Sequence, residues 1–189
     1  MIVIGAGRGG VEAMQRVLAA LLPPVSAGVV VLLHQLPADA EAAISQLGDR
    51  SSLPVSYALQ GDSIGTGVVY LAPPGCHLLI DEALRFNLEG GPRLVRSGRP
   101  AIDLLFKSAA AAFGKRVIGV VLSGADGDGT DGLRAIKAAG GVSVVQSPAD
   151  AAVPDMPSNA ILGDSPDHCV RLDQIGPLLG QLLARSDAR

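Results

Sequence analysis

A histidine that closes one apolar run and an aspartate just past another are the residues of this sequence best placed to do chemistry. His34 follows the continuous run Val29 to Leu33, and Asp128 lies in the loop after Val117 to Leu122. If both runs are parallel strands of one sheet, both residues lie at its carboxyl edge, where open α/β sheets place their sites. Asp128 can then accept the imidazole N–H and hold its tautomer, the base-plus-orienter pair of a serine hydrolase. The nucleophile for such a pair should project from the loop after the first strand. That loop reads Gly5-Ala6-Gly7-Arg8-Gly9-Gly10 and carries neither hydroxyl nor thiol. Ser123 offers a hydroxyl at the end of the Val117 run, although bonding to backbone near a turn is its bland role. Cys76 ranks behind it, in a separate β insertion.

Three other motifs lead less far. Gly5, Gly7 and Gly10 match G-x-G-x-x-G between a strand and a helix, as a dinucleotide site requires. The second strand, however, ends in His34 instead of the acid that would hold a ribose, and a tight turn with close helix packing explains the glycines. Asp126, Asp128 and Asp131 hint at calcium, but the sixth and twelfth positions of an EF-hand loop counted from Asp126 are Asp131 and Lys137, not Gly and Glu. No metal site and no cofactor is expected. Arg93, Arg96, Arg99 and Lys107 form a mildly basic stretch whose ordinary reading is a solvated surface.

The elements that must position these residues alternate. Ile2 to Ile4 is a strand; Val11, Met14, Val17, Leu18 and Leu21 recur at helical spacing before Pro23-Pro24; Val29 to Leu33 is a strand buried on both faces. Asp39 can cap a following helix that Gly48 ends. Val55 to Leu59, Val68 to Leu71, Leu78 to Ile80 and Leu84 to Leu88 read as short strands of a hairpin or small β insertion. After Pro100 come a helix closed by Gly114, the Val117 strand, a helix over Leu133 to Ala139, a strand over Val142 to Val145 and a terminal helix over Ile175 to Leu183. The expected class is α/β: a doubly wound, mostly parallel sheet with helices on both faces and a β-hairpin insertion.

The 189 residues suffice for one buried domain, residues 1–189, and 48% hydrophobic content with a net charge of −3 excludes whole-chain disorder. That charge also argues against nucleic-acid binding. Val17 to Ala38 lacks Asp, Glu, Lys and Arg, but Pro23-Pro24 and Gly28 break it into pieces too short to span a bilayer. Cys76 and Cys169 form no framework, which fits a reducing, cytoplasmic compartment.

Six stretches, in order, carry a family resemblance: Val3-Ile4-Gly5-Ala6 with Gly9 to Ala13, Val31 to His34 with Pro37, Val69 to Pro73 with His77, Arg99-Pro100 with Asp103 to Phe106, Gly119 to Gly124 with Asp128 to Leu133, and Asp155-Met156-Pro157. On these the chain resembles the catalytic domain of CheB-type chemotaxis protein-glutamate methylesterases. The resemblance implies a domain that hydrolyses glutamate γ-methyl esters, and deamidates certain glutamines, on chemoreceptor cytoplasmic helices through a Ser-His-Asp triad. It assigns the base to His34 and its partner to Asp128. At the nucleophile the family has Ser where this chain has Gly7, and Thr where it has Arg8. Ala125 and Ala101 replace the family's usual Met and Ser. Arg8, Ser123 and Met156 are the expected substrate-binding positions. The family's receiver domain is not expected in this chain, so a separate receiver-domain protein is the implied regulator.

Loss of a serine nucleophile costs a comparable hydrolase on the order of 10⁶ in turnover. The leading expectation is therefore a domain that binds receptor helices with little or no hydrolysis, Arg8 pairing with a carboxylate. The alternative is a residual hydrolase in which His34 activates water or Ser123 attacks. A nucleotide-binding regulator using the glycine loop is the third reading.

Overall fold

The computed structural model describes residues 1–35, 40–90 and 101–187. The expectations for Pro37, Asp39, Arg93, Arg96, Arg99 and Pro100 lie outside the described residues.

In chain order the elements are β1 (Ile2–Ala6), α1 (Gly10–Ala20), β2 (Val29–Leu33), α2 (Ala40–Gly48), β3 (Val55–Tyr57), β4 (Val69–Leu71), β5 (Cys76–Ile80), β6 (Phe86–Gly90), α3 (Ile102–Phe113), β7 (Ile118–Val121), α4 (Thr130–Ala138), β8 (Val142–Gln146), α5 (Asp155–Asp164), β9 (His168–Val170) and α6 (Leu172–Asp187). Seven strands form a parallel sheet in the order β3-β4-β2-β1-β7-β8-β9. The chain winds outward from β1 in one direction through β2 and in the other through β7. The switch point of the sheet therefore falls between β1 and β7, and a crevice at their carboxyl ends is the physical consequence.

Alternation in the central strands divides the core into two layers. Ile2, Ile4 and Ala6 of β1 and Val29, Val31 and Leu33 of β2 pack with Met14, Val17 and Leu18 of α1 and with Ile175 and Leu179 of α6. Val3, Val30 and Leu32 point to the other face, against Ile102, Leu105 and Phe106 of α3, Leu133 and Ile136 of α4, and Met156 of α5. Both faces are covered, which is why the central strands read as unbroken apolar runs.

The short middle strands divide differently from the expectation. β3 and β4 are parallel strands at one edge of the main sheet, with Val29 opposite Val69 and Val55 opposite Val69 on its other side. Among the described residues, β5 and β6 alone form the antiparallel hairpin. It buttresses α3: Ser108 Oγ accepts the Ile80 amide at 3.0 Å, and His77 Nδ1 accepts the Ala101 amide at 3.1 Å.

Two elements carry no sequence signal that separates them from loops. α5 places Pro157, Asn159 and Gly163 among few apolar residues, and β9 is a three-residue edge strand. No helix among the described residues is long and apolar enough to cross a membrane.

Candidate functional site

The ladder of the central strands continues past their ends. His34 N donates to Ala6 O at 3.0 Å, Leu122 N to Gly5 O at 3.0 Å, and Gly7 N to Ser123 O at 2.9 Å. This carries the first loop between the other two, with Gly7 beside both the His34 and the Ser123 turns. Gly9 then adopts φ 75°, a left-handed conformation suited to glycine, and opens α1 without a side-chain cap.

His34 and Asp128 meet. His34 Nε2 lies 2.9 Å from Asp128 Oδ2, and the imidazole is only 4% exposed. A carboxylate accepts and cannot donate, so the Nε2 proton belongs to this contact. Asp128 also accepts the Ile102 amide at 2.7 Å through Oδ2 and the Asp103 amide at 2.9 Å through Oδ1. Burial pushes its carboxyl up, but these donors outweigh burial, with the His34 bond first among them, and hold it below the ordinary aspartate value. Asp128 is thus an ionised anchor at the start of α3, a favourable place for negative charge.

The approach of α3 follows from a missing side chain. A Cβ at Gly5 would overlap the Ile102 side chain, so glycine in β1 lets the start of α3 lie against the sheet and present its amides to Asp128. Asp103 answers from α3 by accepting the Gly129 amide at 3.0 Å and the Gly132 amide at 2.7 Å. Burial holds the Asp103 carboxyl above its ordinary value; the Gly132 bond opposes this and the charge of Asp128 adds to it.

A second carboxylate faces the histidine. Asp126 Oδ2 is 3.4 Å from His34 Nδ1, within ion-pair range but misaligned for a hydrogen bond, and Nδ1 is buried without a hydrogen-bond partner among the described residues. Asp126 Oδ1 also accepts the Asp128 amide at 3.2 Å, which shapes the turn.

The other predicted positions take distinct places. Gly7 is buried; a Cβ there would lie 3.1 Å from Gly124 Cα, 3.3 Å from Met156 Cε and 3.7 Å from Ala125 N. Met156 is fully buried and forms the floor under Gly7 and Gly124. Ser123 is also fully buried; its hydroxyl donates to Arg8 O at 2.8 Å and accepts the Val153 amide at 2.9 Å. Those bonds tie the first loop to the segment before α5, so Ser123 and Met156 shape the site from beneath and expose no surface to a ligand. Arg8 is exposed, and its guanidinium pairs with no carboxylate among the described residues.

Asp126 and Asp103 are the site residues that sequence reasoning missed. In the sequence Asp126 stands only in a failed calcium pattern. Asp103 falls in a matching stretch, at the start of an apolar-periodic helix, where an acidic residue suggests local capping and not a bond to another helix. Among the described residues, no group of three or more His, Cys, Asp or Glu side chains is arranged to hold a metal ion.

Comparison with known proteins gives one consistent result. The profile described as CheB methylesterase matches residues 2–179. A protein from Anaeromyxobacter dehalogenans named protein-glutamate methylesterase/protein-glutamine glutaminase 4 is 39% identical over 180 residues, covering 94% of this chain and 50% of the relative. A Leptospira interrogans protein named putative protein-glutamate methylesterase/protein-glutamine glutaminase is 36% identical over 183 residues, covering 96% of this chain and 93% of the relative. The chain thus spans half the length of the first relative and nearly all of the second. The crystal structure of the Thermotoga maritima CheB methylesterase catalytic domain superposes with a TM-score of 0.87 at 27% identity, covering 96% of this chain and 97% of that one.

Proposed function

The chain belongs to the CheB methylesterase family, and we propose that it uses the family's site to bind glutamate side chains of chemoreceptor cytoplasmic helices without forming an acyl-enzyme. The observation that carries this reading is the pairing of His34 with Asp128 at 2.9 Å beside a position, Gly7, that has no side chain to activate. Attack on an ester carbonyl needs an oxygen that can hand its proton to the imidazole. Position 7 supplies none, and Ser123 has its hydroxyl bonded to backbone on both sides.

Arg8 gives the remaining site its specificity. A guanidinium binds a carboxylate with two parallel N–H donors and has no such match for a methyl ester. The preferred ligand is therefore the free glutamate, the state that the relatives named as methylesterases produce. The residual-hydrolase reading asks His34 to activate water, but Nε2 is bonded to Asp128 and Nδ1 faces Asp126. The dinucleotide reading lacks an acid at the end of β2.

Calorimetry with receptor-helix peptides carrying Glu or its γ-methyl ester, alongside a methanol-release assay, tests the proposal. The Glu peptide is expected to bind about tenfold more tightly than the ester, in line with a charge-assisted hydrogen bond, and Arg8→Ala to erase the difference. No methanol is expected. Failure of the Glu peptide to bind sinks the reading, and methanol release abolished by His34→Ala replaces it with the hydrolase.

A further inference from the structure

We propose that the amino edge of the sheet carries a second binding site, for a single-chain amphipathic anion of the acyl carboxylate class, in a groove with one cationic end and one apolar end. The site stands at the edge opposite His34 and Asp128 and does not depend on receptor recognition.

The groove is built where strands begin. Gly28 precedes β2, Ile118 opens β7 and Val142 opens β8; with Phe113 and Leu182 they line a cavity of about 430 Å³. A second cavity of about 740 Å³ lies between the end of α1 and α6, lined by Leu21, Leu22, Pro24, Val25 and Pro177. Ser26, Thr66 and Leu183 line both, so the two are continuous. Each falls within the roughly 300–1,000 Å³ of small-molecule sites. A missing side chain helps to keep the second open: Gly180 of α6 lines it, and a Cβ there would meet nothing within 4 Å.

Charge separates the two ends. Lys115 and Arg116 line the first cavity, both are exposed, and neither forms an ion pair among the described residues. The Arg116 guanidinium carbon stands 5.3 Å from the Phe113 ring centroid, a cation–π contact that holds it beside an apolar wall of the cavity. Among the described residues no Asp or Glu lines either cavity, in a chain of net charge −3. Two cations with no acid beside them attract an anion. The second cavity has no Lys or Arg in its lining and offers Leu22, 68% exposed, beside Leu21, Pro24 and Val25. Apolar surface of this kind gains by covering hydrocarbon. A carboxylate at Lys115 and Arg116, with its alkyl chain laid past Ser26 and Thr66 toward Leu22, satisfies both ends. A short anion leaves the apolar end bare, and an uncharged chain leaves the cations unmatched.

Titration calorimetry of the chain with dodecanoate, below its micelle concentration, tests the proposal. Acetate supplies the head without the chain, and dodecyltrimethylammonium the chain with the opposite charge. Dodecanoate is expected to bind at least about tenfold more tightly than either. Lys115→Glu/Arg116→Glu alters only exposed side chains and is expected to weaken dodecanoate at least about tenfold. Leu22→Ser, also at an exposed position, is expected to weaken it about threefold. In amide spectra, dodecanoate is expected to move the Gly28, Thr66 and Gly180 resonances and leave those of His34 and Asp128 in place. A parallel arm offers phosphatidylglycerol vesicles. Absence of dodecanoate binding, binding that either variant leaves unchanged, equal binding of acetate or dodecyltrimethylammonium, shifts centred on His34 and Asp128, or association with the vesicles alone overturns the proposal.

Discussion

Asp128 and Asp103 each hold the start of the other's neighbouring helix. Asp128 accepts the Ile102 and Asp103 amides at the first turn of α3, and Asp103 accepts the Gly129 and Gly132 amides at the first turn of α4. The loop that carries Asp128 to His34 is therefore locked at both ends. Four predictions follow from this frame and from the packing beneath it.

Asp103→Ala leaves two amides at the start of α4 without an acceptor. An expected loss of about 1–3 kcal/mol follows from unsatisfied partly buried donors, measured by urea unfolding. Asp103→Asn retains an acceptor and lacks the cost of burying a charge, so it is expected to recover most of that loss.

The two carboxylates give opposite pH dependences. The carboxyl of Asp128 is held below the ordinary value of 3.8, so its contribution is present above that pH and fades as pH falls below it. The stability gap between the unmodified chain and Asp128→Asn should close as the solution is acidified through that range. Asp103 is held above 3.8, so the folded state binds its proton more tightly than the unfolded state does. Relative to Asp103→Asn, the unmodified chain should lose stability as pH rises above 3.8 through the raised value. Unfolding curves across this range that show the same slope for both carboxylates contradict the assignment.

Gly5→Ala sets a methyl group against Ile102. Overpacking of about 1–3 kcal/mol is expected, with a shift in the Ile102 amide resonance as α3 moves off Asp128. Ile102→Ala opens the same space, so the double variant should be more stable than the sum of the single losses predicts. Strict additivity in thermal unfolding speaks against direct contact.

Ser123→Ala removes a buried hydroxyl that bridges Arg8 O and the Val153 amide. A cost of about 1–3 kcal/mol is expected. Mass spectrometry of the unmodified chain after exposure to diethyl p-nitrophenyl phosphate should find no adduct on Ser123; an adduct there returns the residue to the role of nucleophile.

Local patterns in the chain carry much of the fold. Strands buried on both faces appear as Val29 to Leu33 and Val117 to Leu122, because a parallel sheet covered by helices leaves no polar alternation. Their ends are the addresses of His34 and Asp128, and parallel strands bring those ends to one edge. The sequence does not separate β3 and β4 from the hairpin, because a three-residue strand shows its length and not its partner; pairing at the sheet edge is decided by the strands around it. α5 shows no helical stripe in the sequence, because Met156 and Ala160 are too few to draw one.

The residue types alone determined that a histidine and an aspartate share the carboxyl edge of a parallel sheet and that no hydroxyl stands in the first loop. Only the folded chain decided what surrounds that pair. Asp103 reaches α4, and Asp126 reaches the second nitrogen of His34, because the first turns of two helices and one loop converge there. Strand order and backbone direction follow from periodicity, which is a local property. The partner of each carboxylate oxygen depends on ångström-scale approach, set here by glycine in β1 and by the hairpin that supports α3.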